Sequence, residues 1–253
     1  IYDVTVGLTT TFVKVYRPEF ETVKALRHTF RPKLVYTYIP EAIQEDTPKF
    51  DSIDFIAPAN NLQFSLNSIL TGKVTNGDKT KYLDYVYMDL SQTYNINEGT
   101  RKVNGTADKR RPFSNIYGEL RMNPIEWGAL TGRGSYDVYK HWFASYDASL
   151  STSHPMGTMT VSHRFTRDSA SYIEGALKAR AAKTVDLTYS KRFSLSDYKS
   201  LETVYGMEYK HQCWSYQLSY TVRPEEKVVY LTFNLLGLGR VAGVQGRMEG
   251  ITQ

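Results

Sequence analysis

From about residue 112 to residue 236, apolar and polar side chains alternate almost without a break. In 214–223 one row reads Trp214, Tyr216, Leu218, Tyr220 and Val222, and the other reads Ser215, Gln217, Ser219, Thr221 and Arg223. In 184–195, Val185, Leu187, Tyr189, Phe193 and Leu195 oppose Thr184, Asp186, Thr188, Ser190, Arg192 and Ser194. Successive side chains of a strand point to opposite faces, so period two means a sheet with one greasy and one wet face. The spacing predicts thirteen strands, at about 2–16, 23–38, 61–74, 80–95, 112–122, 125–139, 141–152, 157–166, 170–181, 183–195, 199–211, 213–223 and 227–237. No segment carries a convincing 3.6-residue period, and 41–46 (EAIQED) reads as a helical turn in a loop.

Strand length says what the greasy face meets. Most of these strands run about 10–15 residues, against about 5–6 in soluble sheets. A tilted strand of about 10 residues crosses an apolar band about 25 Å tall. The expected fold is therefore all-β, an antiparallel up-and-down transmembrane β-barrel. Two connections are long, 39–60 after strand two and 97–111 after strand four. Both follow even-numbered strands, so a meander puts them at one rim. Connections after strands one, three, five and seven are short, with Asn76 and Gly77 a hairpin turn signal. Long loops on one rim and short turns on the other are the outer-membrane pattern, long loops outside. Strand parity then places Cys213 and the tail beyond 238 on the periplasmic side, and the 223–227 turn (RPEEK) outside. The strands occupy 1–238, and 239–253 reads as a periplasmic tail.

Composition changes this picture little. Hydrophobic residues make up 41% of the 253, and the mean hydropathy is −0.43. No run of about 18 apolar residues exists, so no helix crosses a membrane. A barrel escapes that test because only every second residue meets lipid. The 20 tyrosines suit strands and aromatic girdles. The net charge of +5 is dispersed along the chain, which argues against a nucleic-acid partner. No leader precedes the strand-like start, so the chain reads as mature or as a piece of something longer.

Two blocks carry a family resemblance. Residues 27–54 read RHTFRPKLVYTYIPEAIQEDTPKFDSID, with Arg27 and Pro32, Tyr36, Tyr38 and Pro40, then Pro48, Asp51 and Asp54 as landmarks. Near the end, HQCWSYQLSY, a turn and VVYLTFNLLGLG follow. Together they resemble the barrel domain of the LptD (OstA) family of lipopolysaccharide-assembly proteins. That family's barrel is about twice as large and follows a periplasmic jelly-roll, so this chain would be roughly its C-terminal half. In lipid an unpaired strand edge costs several kcal/mol per backbone group, so thirteen strands must close on themselves or pair with strands beyond them.

The resemblance implies a translocon of the cell outer membrane, not an enzyme, and no cofactor. Lipopolysaccharide would send its head group through the lumen and its acyl chains through a lateral seam. The expected lip of that seam is the last strand, Val228, Val229, Tyr230, Leu231, Thr232, Phe233, Asn234 and Leu235. Implied partners are an LptE-like lipoprotein plug in the barrel and periplasmic bridge proteins reached through the jelly-roll. Outer-membrane lipid and the barrel-assembly machinery complete the set. Cys213 would be the C-terminal member of a disulfide to that jelly-roll. Some relatives carry two adjacent cysteines there, whereas Trp214 follows Cys213 here. The prolines also have a plain reading, as strand ends and loop stiffeners. The alternative function is another large outer-membrane barrel, a porin or a receptor. The five histidines and many serines form no GxSxG or paired His/Asp spacing, and His163, on an apolar row, reads as structural. Asp46, Asp51 and Asp54 do not match a calcium loop.

Overall fold

A computed structural model describes residues 2–18, 22–41, 56–77, 79–105, 108–125, 127–235 and 239–249. Pro48, Asp51, Asp54 and most of the expected 41–46 turn lie outside the described residues. The chain forms two compact units, Ile1–Asn123 with Gly132–Ala144, and Pro124–Thr131 with Ser145–Gln253.

The first unit holds β1 (Val4–Thr9), β2 (Phe12–Tyr16), β3 (Val23–Ile39), β4 (Ala59–Asn76), β5 (Lys79–Asn95), the short α1 (Ile96–Thr100), β6 (Ile116–Ile125) and part of β7 (Gly128–Asp137). Neighbouring strands are antiparallel in chain order, with β1 and β2 both beside β3. β3, β4 and β5 have 17, 18 and 17 residues. At about 3.3 Å per residue and a 45° tilt, they are long enough to cross a 25 Å apolar band and extend beyond it. The 40–58 and 96–115 connections leave the same end of this meander. Gly77, at φ +57°, makes the β4–β5 turn, a backbone conformation that glycine adopts without strain.

The single strand expected at 2–16 is two strands, and Pro32 is the cause. β1 pairs with Lys33–Tyr38 and β2 with Leu26–Phe30. The break faces Arg31 and Pro32. Pro32 has no N–H to donate toward that side, and its carbonyl accepts from Thr10 N at 3.3 Å. Its β4 side stays in register, with Pro32 opposite Leu66. Pro32 therefore does not end β3, whereas Pro40 follows its last residue, Ile39. The helical turn α1 was not expected. Asn95 caps it by accepting from Glu98 N, an Asn-x-x-Glu spacing of the capping-box kind. Arg101 then grips Glu98 at 2.8 Å and Asp108 at 2.7 Å. Hydrogen bonds from Arg101 hold the Asp108 carboxyl down from 3.8 to about 2, and Glu98 below its ordinary value.

The second unit holds most of β8 (Trp142–His154), then β9 (Gly157–Thr166), β10 (Ala170–Ala182), β11 (Val185–Ser194), β12 (Lys199–Lys210), β13 (Trp214–Val222), β14 (Glu226–Leu235) and β15 (Gly239–Glu249). Each pairs antiparallel with the next. The all-β, antiparallel up-and-down organisation matches the sequence reading. The count does not, because residues 239–249 continue as β15 along the whole of β14. That stretch is GRVAGVQGRME, where glycines interrupt any apolar row, so alternation could not reveal it.

Candidate functional site

In the second unit the two faces are inverted relative to a water-soluble protein. Among the described residues Val228 is the one buried hydrophobic side chain. The buried polar ones include Asp186, Ser194, Ser215, Thr221 and Thr232, each at most 6% exposed. Meanwhile Met159, Leu177, Leu187, Tyr189, Tyr205, Met207, Tyr216, Leu218 and Leu231 are between 39% and 52% exposed. Soluble domains bury such residues and expose polar ones. A barrel wall does the reverse, apolar toward lipid and polar toward the lumen. At the Cys213 end, Trp214 packs on His211, Tyr216 and Phe233 at 4.9–6.1 Å, in the manner of an interfacial girdle. His163, on the apolar face, is hydrogen-bonded to Tyr146 Oη and Ser171 Oγ at 3.3 Å.

The polar face carries two charged rows. Near the Arg223 end, Arg164 donates to Asp147 at 2.9 Å, Arg192 to Glu174 at 2.8 Å, and Arg223 to Glu202 at 2.7 Å and also to Glu226. Tyr172 lies between Arg164 and Arg192, whose guanidinium carbons are 5.9 and 5.3 Å from its ring centre. The signs alternate from strand to strand, so the row is a ladder, not a patch of one charge. Near the Cys213 end, three cations converge on Asp186: Lys210 at 2.7 Å, Lys178 at 3.5 Å and Arg180 at 3.6 Å. Lys210 also reaches Glu208 at 3.3 Å. The carboxylate is enclosed, with its side chain 7% exposed, while the three cations stay open at 43–59%. This surface offers exposed ammonium and guanidinium groups to anions. Among the described residues no group of His, Cys, Asp and Glu has the arrangement of a metal site.

The expected site residues are spread over both units. Arg27, Pro32, Tyr36 and Tyr38 lie within β3, not in a loop. Pro32, Tyr36 and Tyr38 share one face, and Arg27 shares the other with Arg31 and Lys33. Val228 to Leu235 form most of β14, paired with β13 on one side and β15 on the other. The edge expected at that strand is therefore covered, and β15 is the C-terminal edge of the described sheet. Cys213 is an exposed free thiol in the β12–β13 turn. The ladder residues were missed by sequence reasoning except Arg192 and Arg223, named only as polar-row positions. Asp147 and Arg164, Glu174 and Arg192, and Glu202 and Arg223 are 17, 18 and 21 residues apart, and only register reveals their pairing.

A family model described as LPS transport system D, LptD, matches residues 2–179. The chain belongs to the LptD family. One LptD relative is the LPS-assembly protein LptD of Hahella chejuensis (strain KCTC 2396), 20% identical over 244 residues. The alignment covers 84% of this chain and 30% of that protein, so the chain spans less than a third of that LptD's length.

Proposed function

We propose that this chain is part of an outer-membrane barrel that delivers lipopolysaccharide to the outer leaflet. The observation that carries the reading is the inverted sheet, whose exposed apolar face suits lipid and whose polar face bears rows of charge. Such a face supports passage of a phosphorylated sugar head group and seating of an LptE-like lipoprotein plug. LptD family membership supports assembly over the porin or receptor alternative, and a binding and transport role over catalysis. Head groups would pass along the polar face, and acyl chains would leave sideways beside β15, the C-terminal edge of the described sheet. Upstream strands and a jelly-roll that meets the periplasmic bridge proteins belong to the longer protein this reading requires.

Strand parity supports a periplasmic position for the Cys213 turn, where a disulfide to the upstream jelly-roll would anchor the barrel. In the full-length protein, Cys213 should resist thiol labelling until reductant is added; full labelling without reductant removes that bridge.

The transport reading has its own test. Cells depleted of the native protein receive a full-length variant with a cysteine in β15 and another in the strand that closes the barrel against it. Oxidation should stop surface arrival of lipopolysaccharide, and reduction should restore it. Unchanged arrival with the seam locked overturns lateral exit, and normal arrival in depleted cells without any variant overturns the function.

A further inference from the structure

The outward face of the second unit breaks its own rule at one place. Along the outward rows of β9 to β13, Lys191 is the one Lys, Arg, Asp or Glu among the described residues. It makes no ion pair with any described residue, whereas Arg164, Arg192, Arg223, Lys178, Arg180 and Lys210 on the polar face are all paired. Lys191 borders a cavity of about 430 Å³ whose other walls include Ile173, Leu177, Met159, Tyr189 and Phe193. The floor is Gly175, opposite Val161 on one strand and Lys191 on the other. A Cβ added at Gly175 would meet nothing within 4 Å. One missing side chain among large apolar neighbours thus leaves a slot that opens toward lipid.

The position of Lys191 gives the slot two chemistries. A lipid-facing Lys is costly at mid-bilayer and tolerated near the interface. Lys191 lies three residues before Ser194, the last residue of β11. With about 3.3 Å per residue and a tilted strand, its Cα is about 7 Å below the strand end. Its four-carbon stem can carry the ammonium the rest of the way to the head-group level. A cation able to reach phosphate depth therefore borders an apolar slot.

We propose that this slot holds one anionic, phosphate-bearing lipid of the leaflet on the Arg223 side, its phosphate on Lys191 and an acyl chain over Gly175. The site rests on the outward face meeting lipid, and not on lipopolysaccharide transport. Two variants test it, Lys191→Met and Gly175→Leu. Gly175 has no positive φ, and leucine strengthens a strand where glycine weakens it. Retained heat-modifiable migration on gels shows that each variant folds. The full-length protein in neutral detergent is titrated with phosphatidylglycerol, and separately with uncharged diacylglycerol, and bound lipids are counted by native mass spectrometry. Wild type should hold one phosphatidylglycerol more tightly than the rest, with no such preference for diacylglycerol. Lys191→Met should weaken that one by about fivefold, the factor a single basic residue contributes near an anionic lipid surface, and Gly175→Leu should weaken it too by filling the slot. Unchanged binding in either variant overturns the site, and so does equal preference for diacylglycerol. Wild type that stays monodisperse without detergent overturns the membrane reading itself, a distinguishable outcome.

Discussion

Leu218→Arg is expected to destabilise the folded barrel by about 2–4 kcal/mol, the cost of an arginine facing lipid at mid-bilayer. Leu218 is the fifth of the nine residues of β13, so it sits at the strand's midpoint. It is 40% exposed on the apolar face and opposite Leu231. Its chain neighbour Gln217 faces the other way, opposite Glu208. Gln217→Arg should stay within about 0.5 kcal/mol of wild type, as for an ordinary surface change, because the new guanidinium has water and a carboxylate nearby. Thr232, also on the polar face, is a poorer control, since at 5% exposure it has no room for an arginine. Urea unfolding of the full-length protein in lipid vesicles measures the difference. Equal losses at 217 and 218 would mean the faces have been assigned the wrong way round.

Asp186→Asn is expected to cost about 2 kcal/mol. A fully exposed ion pair contributes about 0–1 kcal/mol, and removing one partner of a buried pair costs about 3–5 kcal/mol. Asp186 lies between these limits, an enclosed carboxylate whose three cations remain open to water. Its loss leaves Lys178, Arg180 and Lys210 facing one another with Glu208 as the remaining acid in the cluster. Adding Lys210→Met should return about half of the loss, because it removes one of the repelling charges. The same urea titration reads both variants. A double variant no more stable than Asp186→Asn would show that the carboxylate acts through hydrogen bonding rather than charge balance.

Much of the fold was legible because period-two alternation is a local signal. β10 to β14 lie close to the expected 170–181, 183–195, 199–211, 213–223 and 227–237. What failed was non-local or lacked side-chain contrast. β15 carries glycines where a greasy row would show, yet its backbone pairs with β14 as fully as the other strands pair. Pro32 divided its neighbour without interrupting its own strand, an effect that sits across the ladder rather than along the chain. The site was less legible than the fold. Glu174 and Arg192 are 18 residues apart, and β-bulges beside Arg180 and Arg192 shift the register in ways alternation does not encode. The Asn95-to-Glu98 spacing was a signal within reach, and α1 was its consequence.

The alternating ladder also bears on how the sheet finds its alignment during assembly. A slip of one residue turns every apolar side chain inward, so greasiness alone rejects it. A slip of two restores every side chain to its proper face, and the hydrophobic pattern cannot detect the error. The charges can. Moving β11 by two places along β10 takes Arg192 from Glu174 to Tyr172 or Ala176, and the acid is left without its guanidinium. Between β12 and β13, Arg223 would likewise leave Glu202. The row from Asp147 to Glu226 thus works as a vernier, marking the one alignment among even-numbered shifts in which every mark meets its counterpart.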